Sequence, residues 1–328
     1  MSRSTRLTRS GVAVLAGVLL TAGAVGCSST DDGAGVRNVG TDGGSASGSG
    51  SASGSGSGSG TAGTTGSGSG LAEEDLSAGT DNPLVLAAVD EYRTYVIEQV
   101  DDTVVTSQRM ADAIAAGDLE TAKSLYAPSR QGWEAIEPIA GLIEEIDGAV
   151  DARVDDFENE DDPEFTGWHR IEYLLWEKGD TAAAAPFAEQ LMTDLGTLQS
   201  EIETLEIPPA ALTVGAAELI EEVSTGKITG EEDRYSHTDL WDFAANVAGS
   251  EKLIELLTPA LEEADPELLA DIQAGFAEID TQLAKYEDGD GYKPYGDLTD
   301  EDKTAMQTTL ASLSEDLSQV SGALGLEG

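Results

Sequence analysis

The chain has 328 residues, of which 63 are acidic and 17 are basic, so its formal net charge at pH 7 is −46. This charge excludes nucleic acid as a partner and opposes adhesion to an anionic membrane surface, because both carry charge of the same sign. A single cysteine excludes an intramolecular disulfide. Most of the acidic residues are expected to form a solubilising surface.

The first 26 residues are typical of a lipoprotein signal peptide. Three arginines precede an apolar run over residues 11–25, which is too short to span a bilayer but suits a signal-peptide core. Small residues stand before Cys27, as in a lipobox, where the cysteine becomes the lipid-modified N-terminus after cleavage. We therefore expect lipid on Cys27 to anchor the protein to the outer face of the cytoplasmic membrane. An ordinary signal peptide cleaved near Cys27 is the alternative.

Residues 27–80 are predicted to hold the lipidated cysteine and a disordered tether. Between residues 28 and 70 the sequence is almost wholly Gly, Ser, Ala, Thr and Asp, which offer no apolar surface to bury. Thirty such residues have a root-mean-square span of roughly 30 Å. The tether is therefore expected to hold a folded domain away from the membrane and leave it free to reorient.

From residue 81 onwards, apolar residues recur at three-to-four spacing and no convincing alternating strand is present, which predicts an all-α fold. We expect two packed, pseudo-repeated bundles of about four helices each, over residues 81–206 and 207–328. The first predicted helix begins at Asp81, and the second begins at Asp118 and is expected to be kinked or interrupted at Pro128 and Pro138. A third helix contains His169, and a fourth starts at Thr181. Further helices are predicted over about 210–224, 231–247, 250–263, 266–287 and 300–321.

His169 and Glu172 stand three residues apart in a predicted helix that begins after Thr166. At this spacing both side chains lie on the same helix face. Imidazole suits iron, zinc or copper, and carboxylate oxygens favour harder cations such as iron and manganese. From spacing alone, a structural His–Glu pair explains the pattern as well as a metal site does.

The run Gly-Trp-His-Arg-Ile-Glu-Tyr over residues 167–173 contains Gly-x-His-x-x-Glu and resembles the signature of the imelysin family, in particular its EfeO branch. Residues 126–138, 151–156 and 235–243 also resemble that branch. The resemblance implies an imelysin-like all-helical domain over 81–328, in a short form without the cupredoxin-like domain of longer relatives.

The resemblance also implies a function and partners. An extracytoplasmic, iron-binding lipoprotein is expected, which delivers Fe²⁺ or Fe³⁺ to a membrane permease of an EfeUOB-type uptake system that includes a peroxidase-like partner. Zinc or copper binding in vitro is compatible with the same ligand types.

One histidine and one glutamate cannot complete a transition-metal site, so carboxylates from neighbouring helices are expected to join them. Glu137 and Asp151 are the leading additional ligands, and Glu134 and Asp155 are the alternates. Each of the four is equally explained as a solvated acid. Glu134 and Glu137 are three residues apart beside Trp133, and Asp151 and Asp155 are four residues apart just before the predicted helix of His169.

Arginines close to these acids are expected to orient the ligand carboxylates. The candidates are Arg130 and Arg170, with Arg153 beside Asp155, and ordinary surface ion pairs are the alternative. The second histidine, His237, stands among aromatic residues. It is predicted to be a structural histidine in a packed helix, satisfied by Asp233 or Asp239, in preference to a second metal site.

Two enzymatic functions compete with iron binding. A metal-dependent peptidase of the imelysin type is the first, but the sequence has no His-Glu-x-x-His and too few histidines for a usual zinc site. A ferritin-like ferrous oxidase is the second, but Glu-x-x-His is absent and the order here is reversed. We therefore predict a non-enzymatic protein without catalytic residues.

Overall fold

The computed structural model describes Leu76 and residues 79–326, and apart from loops and one short hairpin they are helical. The predicted signal peptide, Cys27 and the tether lie outside these residues. The α-helices are α1 (Pro83–Ala115), α2 (Leu119–Ile136), α3 (Glu144–Val150), α4 (Gly167–Tyr173), α5 (Thr181–Ile202), α6 (Pro209–Thr225), α7 (Asp239–Ala264), α8 (Pro266–Leu283), α9 (Asp300–Ser318) and α10 (Val320–Leu324). The all-α prediction is confirmed.

Shorter elements connect these helices. The strands β1 (Glu287–Asp288) and β2 (Gly291–Tyr292) form the antiparallel hairpin. A π-helix covers Leu174–Lys178, and 3₁₀ helices cover Glu137–Leu142, Val154–Asp156, Lys227–Thr229, Ala284–Tyr286 and Tyr295–Asp297.

Helix α1 begins and packs as its sequence predicts. The Asn82 side chain accepts a hydrogen bond of 2.9 Å from the N–H of Leu84, and Pro83 occupies the first helical position, where no N–H is needed. Apolar side chains at three-to-four spacing, from Val85 to Ile114, are buried. This face packs against α2, α5 and α7.

The two prolines in the region after Asp118 behave differently. Helix α2 continues through Pro128 and ends at Ile136. Pro138 stands at the start of the following 3₁₀ helix, where its missing N–H is tolerated. The change of helix type at this point leaves Glu134 and Glu137 both buried on the same side of the chain.

Gly167 brings the start of α4 against the end of α3. Its φ is +74°, and a Cβ built on it would lie 2.1 Å from the carbonyl oxygen of Val150. Because a side chain is excluded both by the backbone angle and by this approach, glycine is required here. The contact places Asp151, which follows α3, beside His169 in the first turn of α4.

The segment 231–238 corrects one predicted helix. We expected helices over 231–247 and 250–263, but residues 231–238 form turns and α7 runs unbroken from Asp239 to Ala264. Backbone N–H groups of the turn segment bind the Glu172 carboxylate instead of continuing a helix. His237 lies in this segment with φ +61° and an exposed side chain, so it is not packed in a helix as predicted.

Helices from both predicted sub-bundles share one hydrophobic core. Helix α2 packs against α7, and α6 packs against the 3₁₀ helix Glu137–Leu142. The division at residue 206 stays a prediction. Within the described residues, no helix is both long enough and apolar enough to cross a membrane.

Candidate metal centre

Nine buried carboxylates, one of them Glu172, lie in the interior around His169. We call this set the acidic cluster, and its members are Glu134, Glu137, Asp147, Asp151, Glu172, Glu232, Asp233, Asp239 and Asp242. Among the described residues, the buried permanent cations are Arg130 and Lys227. Two permanent cations and one imidazole leave the cluster short of positive charge, and buried charge is costly unless it is paired or coordinated to metal.

The His169 imidazole lies between two groups of carboxylates, one at each ring nitrogen. Its Nε2 is 3.4 Å from Asp151 Oδ1 and 3.7 Å from Glu232 Oε1, without a well-aligned hydrogen bond to either. Its Nδ1 is 3.6 Å from Glu172 Oε2, and Asp233 completes the group on this side. In each group three donor atoms lie within 4.8 Å of one another, so each group has the dimensions of a metal site.

The Glu172 carboxylate is fixed through one oxygen and free at the other. Oε1 accepts hydrogen bonds from the backbone N–H of Tyr235 at 2.9 Å and of Ser236 at 2.6 Å. Oε2 is buried, has no hydrogen-bond partner among the described residues, and faces the imidazole. An oriented carboxylate with one unused oxygen is what a metal ligand requires.

Asp233 and Tyr126 lie on the same side of the ring as Glu172. The Tyr126 hydroxyl donates to Asp233 Oδ1 at 3.0 Å and lies 3.4 Å from His169 Nδ1. Thr238 donates its hydroxyl to the other oxygen of Asp233. These neutral donors orient the Asp233 carboxylate, and the Arg130 guanidinium, with its Nε 3.9 Å from Asp233 Oδ1, balances part of its charge.

Arg130 holds the carboxylates on the Nε2 side. Its guanidinium forms short hydrogen bonds to Asp151 and Glu134, and it lies 3.3 Å from Asp242 Oδ1 and 3.4 Å from Glu232 Oε1. Trp133 donates its indole N–H to the second oxygen of Asp151 at 2.9 Å. The predicted orienting role of Arg130 is thus supported by direct contacts to four carboxylates.

The pKa values of the group around His169 reflect this crowding. Burial and Arg130 lower the imidazole pKa, but contacts with the carboxylates of Asp151, Glu172 and Glu232 outweigh them and raise it well above its ordinary value. Burial alone would raise the pKa of Asp151, yet Arg130 and His169 hold it well below its usual range. Without metal, His169 is therefore protonated at neutral pH and acts as a cation in the cluster.

Burial also raises the pKa of other carboxyl groups in the cluster. Burial raises the pKa of Glu172, against the opposing effect of His169. Burial and the charge of Asp233 raise the pKa of Asp242 well above its usual range, and burial raises that of Asp147 to about 8. Burial is the main cause of each of these shifts, and neighbouring carboxylates add to it, so a bound cation would oppose them.

A cavity of about 10 Å³ lies beside the imidazole, which is about the space of one water-sized particle. His169 and Glu172 form its inner wall, and side chains including Arg153, Arg234 and Tyr235 form its outer wall. Arg153 is 20% exposed, so this wall reaches the surface. The cavity therefore lies between the candidate ligands and a wall that is partly exposed to solvent.

Four of the six predicted ligands are linked to one another by contacts: His169 with Glu172 and Asp151 directly, and Glu134 through Arg130. Glu137 is also buried in the acidic cluster, but it contacts Lys227 rather than the imidazole. Asp155 lies apart, in the 3₁₀ helix Val154–Asp156, with its side chain 63% exposed and paired to Arg234.

Arg170 does not orient a carboxylate. Its guanidinium packs over the rings of Phe165, Tyr173 and Phe187, the last at 4.9 Å from the ring centroid. Its contribution is to packing around α4 through cation–π contacts.

Sequence reasoning missed Glu232, Asp233 and Lys227. The first two stand in Glu231-Glu232-Asp233, which was interpreted as the start of a helix, and Lys227 follows α6 between two glycines. The sequence did contain a sign of these two acids as site residues. A run of three acids stands just before residues 235–243, which resemble the EfeO branch.

Comparisons with known proteins identify the family of this chain. The model of the imelysin family, which bears a peptidase M75 designation, matches residues 88–320. The "Iron uptake system component EfeO" of Escherichia coli (strain K12) and that of Shigella flexneri are each 51% identical over 241 residues, 73% of this chain. The same component of Escherichia coli O157:H7 is 50% identical over 241 residues. This chain spans 64% of the length of each relative. With the family match extending over most of the chain and including both halves of the acidic cluster, the protein belongs to the imelysin family.

Proposed function

We propose that this protein binds iron at His169 and delivers it to a membrane permease as the extracytoplasmic component of an iron uptake system. The observation that carries the proposal is the unused Oε2 of Glu172 beside the imidazole, inside a cluster with too little positive charge. His169 and Glu172 supply one nitrogen and one oxygen. Asp151, Glu232 and Asp233 are the nearest further donors.

A mixed nitrogen and carboxylate donor set favours iron over purely soft or purely hard ions. The relatives named as EfeO are iron uptake components, which supports iron as the cargo. Fe²⁺ and Fe³⁺ are both candidates, and zinc or copper is expected to bind in vitro. Glu134, Glu137 and Asp155, predicted as further ligands, stay candidates, although the first two contact Lys227 and the third is exposed.

Delivery requires partners and a position near the membrane. We infer a permease and a peroxidase-like protein of the same system as partners, and lipid on Cys27 as the anchor. The named relatives are components of an uptake system, which supports the existence of partners in general. The net charge of −46 supports the exclusion of nucleic acid.

The test is titration of the purified protein with Fe(II) under anaerobic conditions, and with Fe(III), zinc and copper. His169→Ala removes the nitrogen donor and should weaken binding by well over tenfold, about 1.4 kcal/mol. His237→Ala is the matched control, because it removes the other histidine, whose side chain is exposed. Equal affinity in parent and His169→Ala would assign binding to the general acidic surface.

A non-enzymatic role is part of the proposal, and two assays test it. Peptide hydrolysis with and without added metal examines the peptidase designation of the family, and oxygen consumption with Fe(II) examines ferrous oxidation. We expect neither activity to exceed that of the His169→Ala variant. Activity that is lost in this variant would instead establish a metalloenzyme.

A further inference from the structure

The Lys227 ammonium lies in a pocket of carboxylates within the acidic cluster, and it shares one of them with the imidazole, because Glu232 Oε1 lies close to both Lys227 Nζ and His169 Nε2. Its Nζ is 3.0 Å from Glu134 Oε2, 2.7 and 2.9 Å from the two oxygens of Glu137, and 3.8 Å from Glu232 Oε1. The Lys227 side chain is 2% exposed. Three converging carboxylates around one cation have the composition of a hard-metal site in which an ammonium takes the place of the ion.

We propose that Lys227 is a tethered cation that fills this carboxylate pocket and so confines metal binding to the His169 side of the acidic cluster. The inference rests on the proposed function, because it concerns which part of the cluster is open to the cargo. It makes Lys227 a residue that determines the number of bound ions. It also explains why Glu134 and Glu137, at ligand-like spacing, do not contact the imidazole.

The backbone at Lys227 is fixed independently of the carboxylates. The residue begins a 3₁₀ helix directly after α6, and the Tyr295 hydroxyl donates a 2.7 Å hydrogen bond to the carbonyl of Ile228. The Lys227 side chain therefore enters the cluster from a segment whose backbone is fixed by these contacts. Because Lys227 belongs to the same chain as the carboxylates, its ammonium has a high effective concentration in the pocket. It therefore competes with a free ion for the same carboxylates.

Asn246 offers the pocket a further oxygen donor for a metal ion. Its amide nitrogen donates to Glu134 Oε2 at 3.0 Å and to Glu137 Oε2 at 2.7 Å. Its Oδ1 is buried and has no hydrogen-bond partner within the described part of the chain. Without the ammonium, rotation of this amide presents a carbonyl oxygen to an ion held by Glu134 and Glu137. The donors of the pocket are then oxygens alone, which suits Mn²⁺.

The test counts the Mn²⁺ ions bound per chain in the parent and in Lys227→Met, which keeps the length of the side chain and removes its charge. We expect the variant to bind one equivalent more than the parent. Lys227→Arg keeps a cation in the pocket and should bind as many as the parent does. Lys252→Met is the matched control, since Lys252 is paired with Glu255 on the surface. The same number of ions in the folded Lys227→Met variant and in the parent would overturn the proposal.

Removal of a buried cation also threatens folding, and a second measurement addresses this. Thermal unfolding is followed with increasing Mn²⁺, which should raise the midpoint of Lys227→Met more than that of the parent, because the ion replaces the ammonium. Failure to fold at any Mn²⁺ concentration would count against the proposal. A parent that binds no ion would refute the proposed function alone, because the difference between variant and parent remains measurable.

Discussion

The raised pKa of His169 couples metal binding to proton release. The metal-free imidazole is protonated at neutral pH because Asp151, Glu172 and Glu232 surround it. A metal ion needs the neutral ring, so it must displace this proton. For a histidine with the ordinary pKa of about 6.5, this competition between proton and metal begins only as the pH falls towards that value. The structure moves the onset of competition to higher pH, so binding should already weaken as the pH falls through neutrality.

The size of the effect follows from the number of protons displaced. Below the pKa of His169, each unit of pH lowers the apparent affinity about tenfold for one proton, or about 1.4 kcal/mol. His169→Gln replaces the imidazole with a neutral amide that does not titrate. Its affinity should be lower than that of the parent, and its dependence on pH should be shallower by one proton.

Calorimetric titration at pH 7 in two buffers with different ionisation enthalpies measures the protons released on binding. Zinc serves as the probe, since it has no redox chemistry. The parent should release about one proton more than His169→Gln, in accord with the single imidazole involved. His237→Gln, which changes the exposed histidine, should release as many as the parent. Equal proton release in parent and His169→Gln would show that the imidazole is neutral or is not a ligand.

Three further predictions follow from other parts of the structure. Gly167→Ala, with φ +74° and a Cβ 2.1 Å from a carbonyl oxygen, should lose at least about 1–2 kcal/mol of stability in urea unfolding and bind metal more weakly. His237→Gly should gain up to about 1 kcal/mol, because glycine adopts φ +61° without strain, and parental or lower stability would contradict this. Cys27→Ser should release the protein from membranes in cell fractionation, and continued membrane association would exclude the lipid anchor.

The local part of the candidate centre was predictable from sequence. His169 and Glu172 share a helix face through their spacing, and the all-α fold follows from apolar periodicity. The imelysin resemblance is confirmed by the family match over residues 88–320. The shared helix face and the apolar periodicity depend on residues within one or two helical turns. This is the range over which a sequence pattern constrains structure.

The partners from the second half of the chain were not predictable in the same way. Glu232 and Asp233 reach His169 from a turn segment more than sixty positions away, and an acidic run looks the same whether it is solvated or buried. The backbone of Tyr235 leaves helical geometry to bind Glu172, an interaction that periodicity cannot report. Lys227 was missed because burial of its ammonium depends on the carboxylates of Glu134, near the end of α2, and of Glu137, in the 3₁₀ helix that follows.

The candidate ligands are spread along the chain, from Asp151 to Asp233, and Glu172 is oriented by amides 63 and 64 positions further on. An unfolded chain therefore has no preformed site, so metal binding at these residues would depend on the long-range contacts that folding makes. On the proposed function, iron loading is coupled to folding and takes place in the compartment where the chain folds.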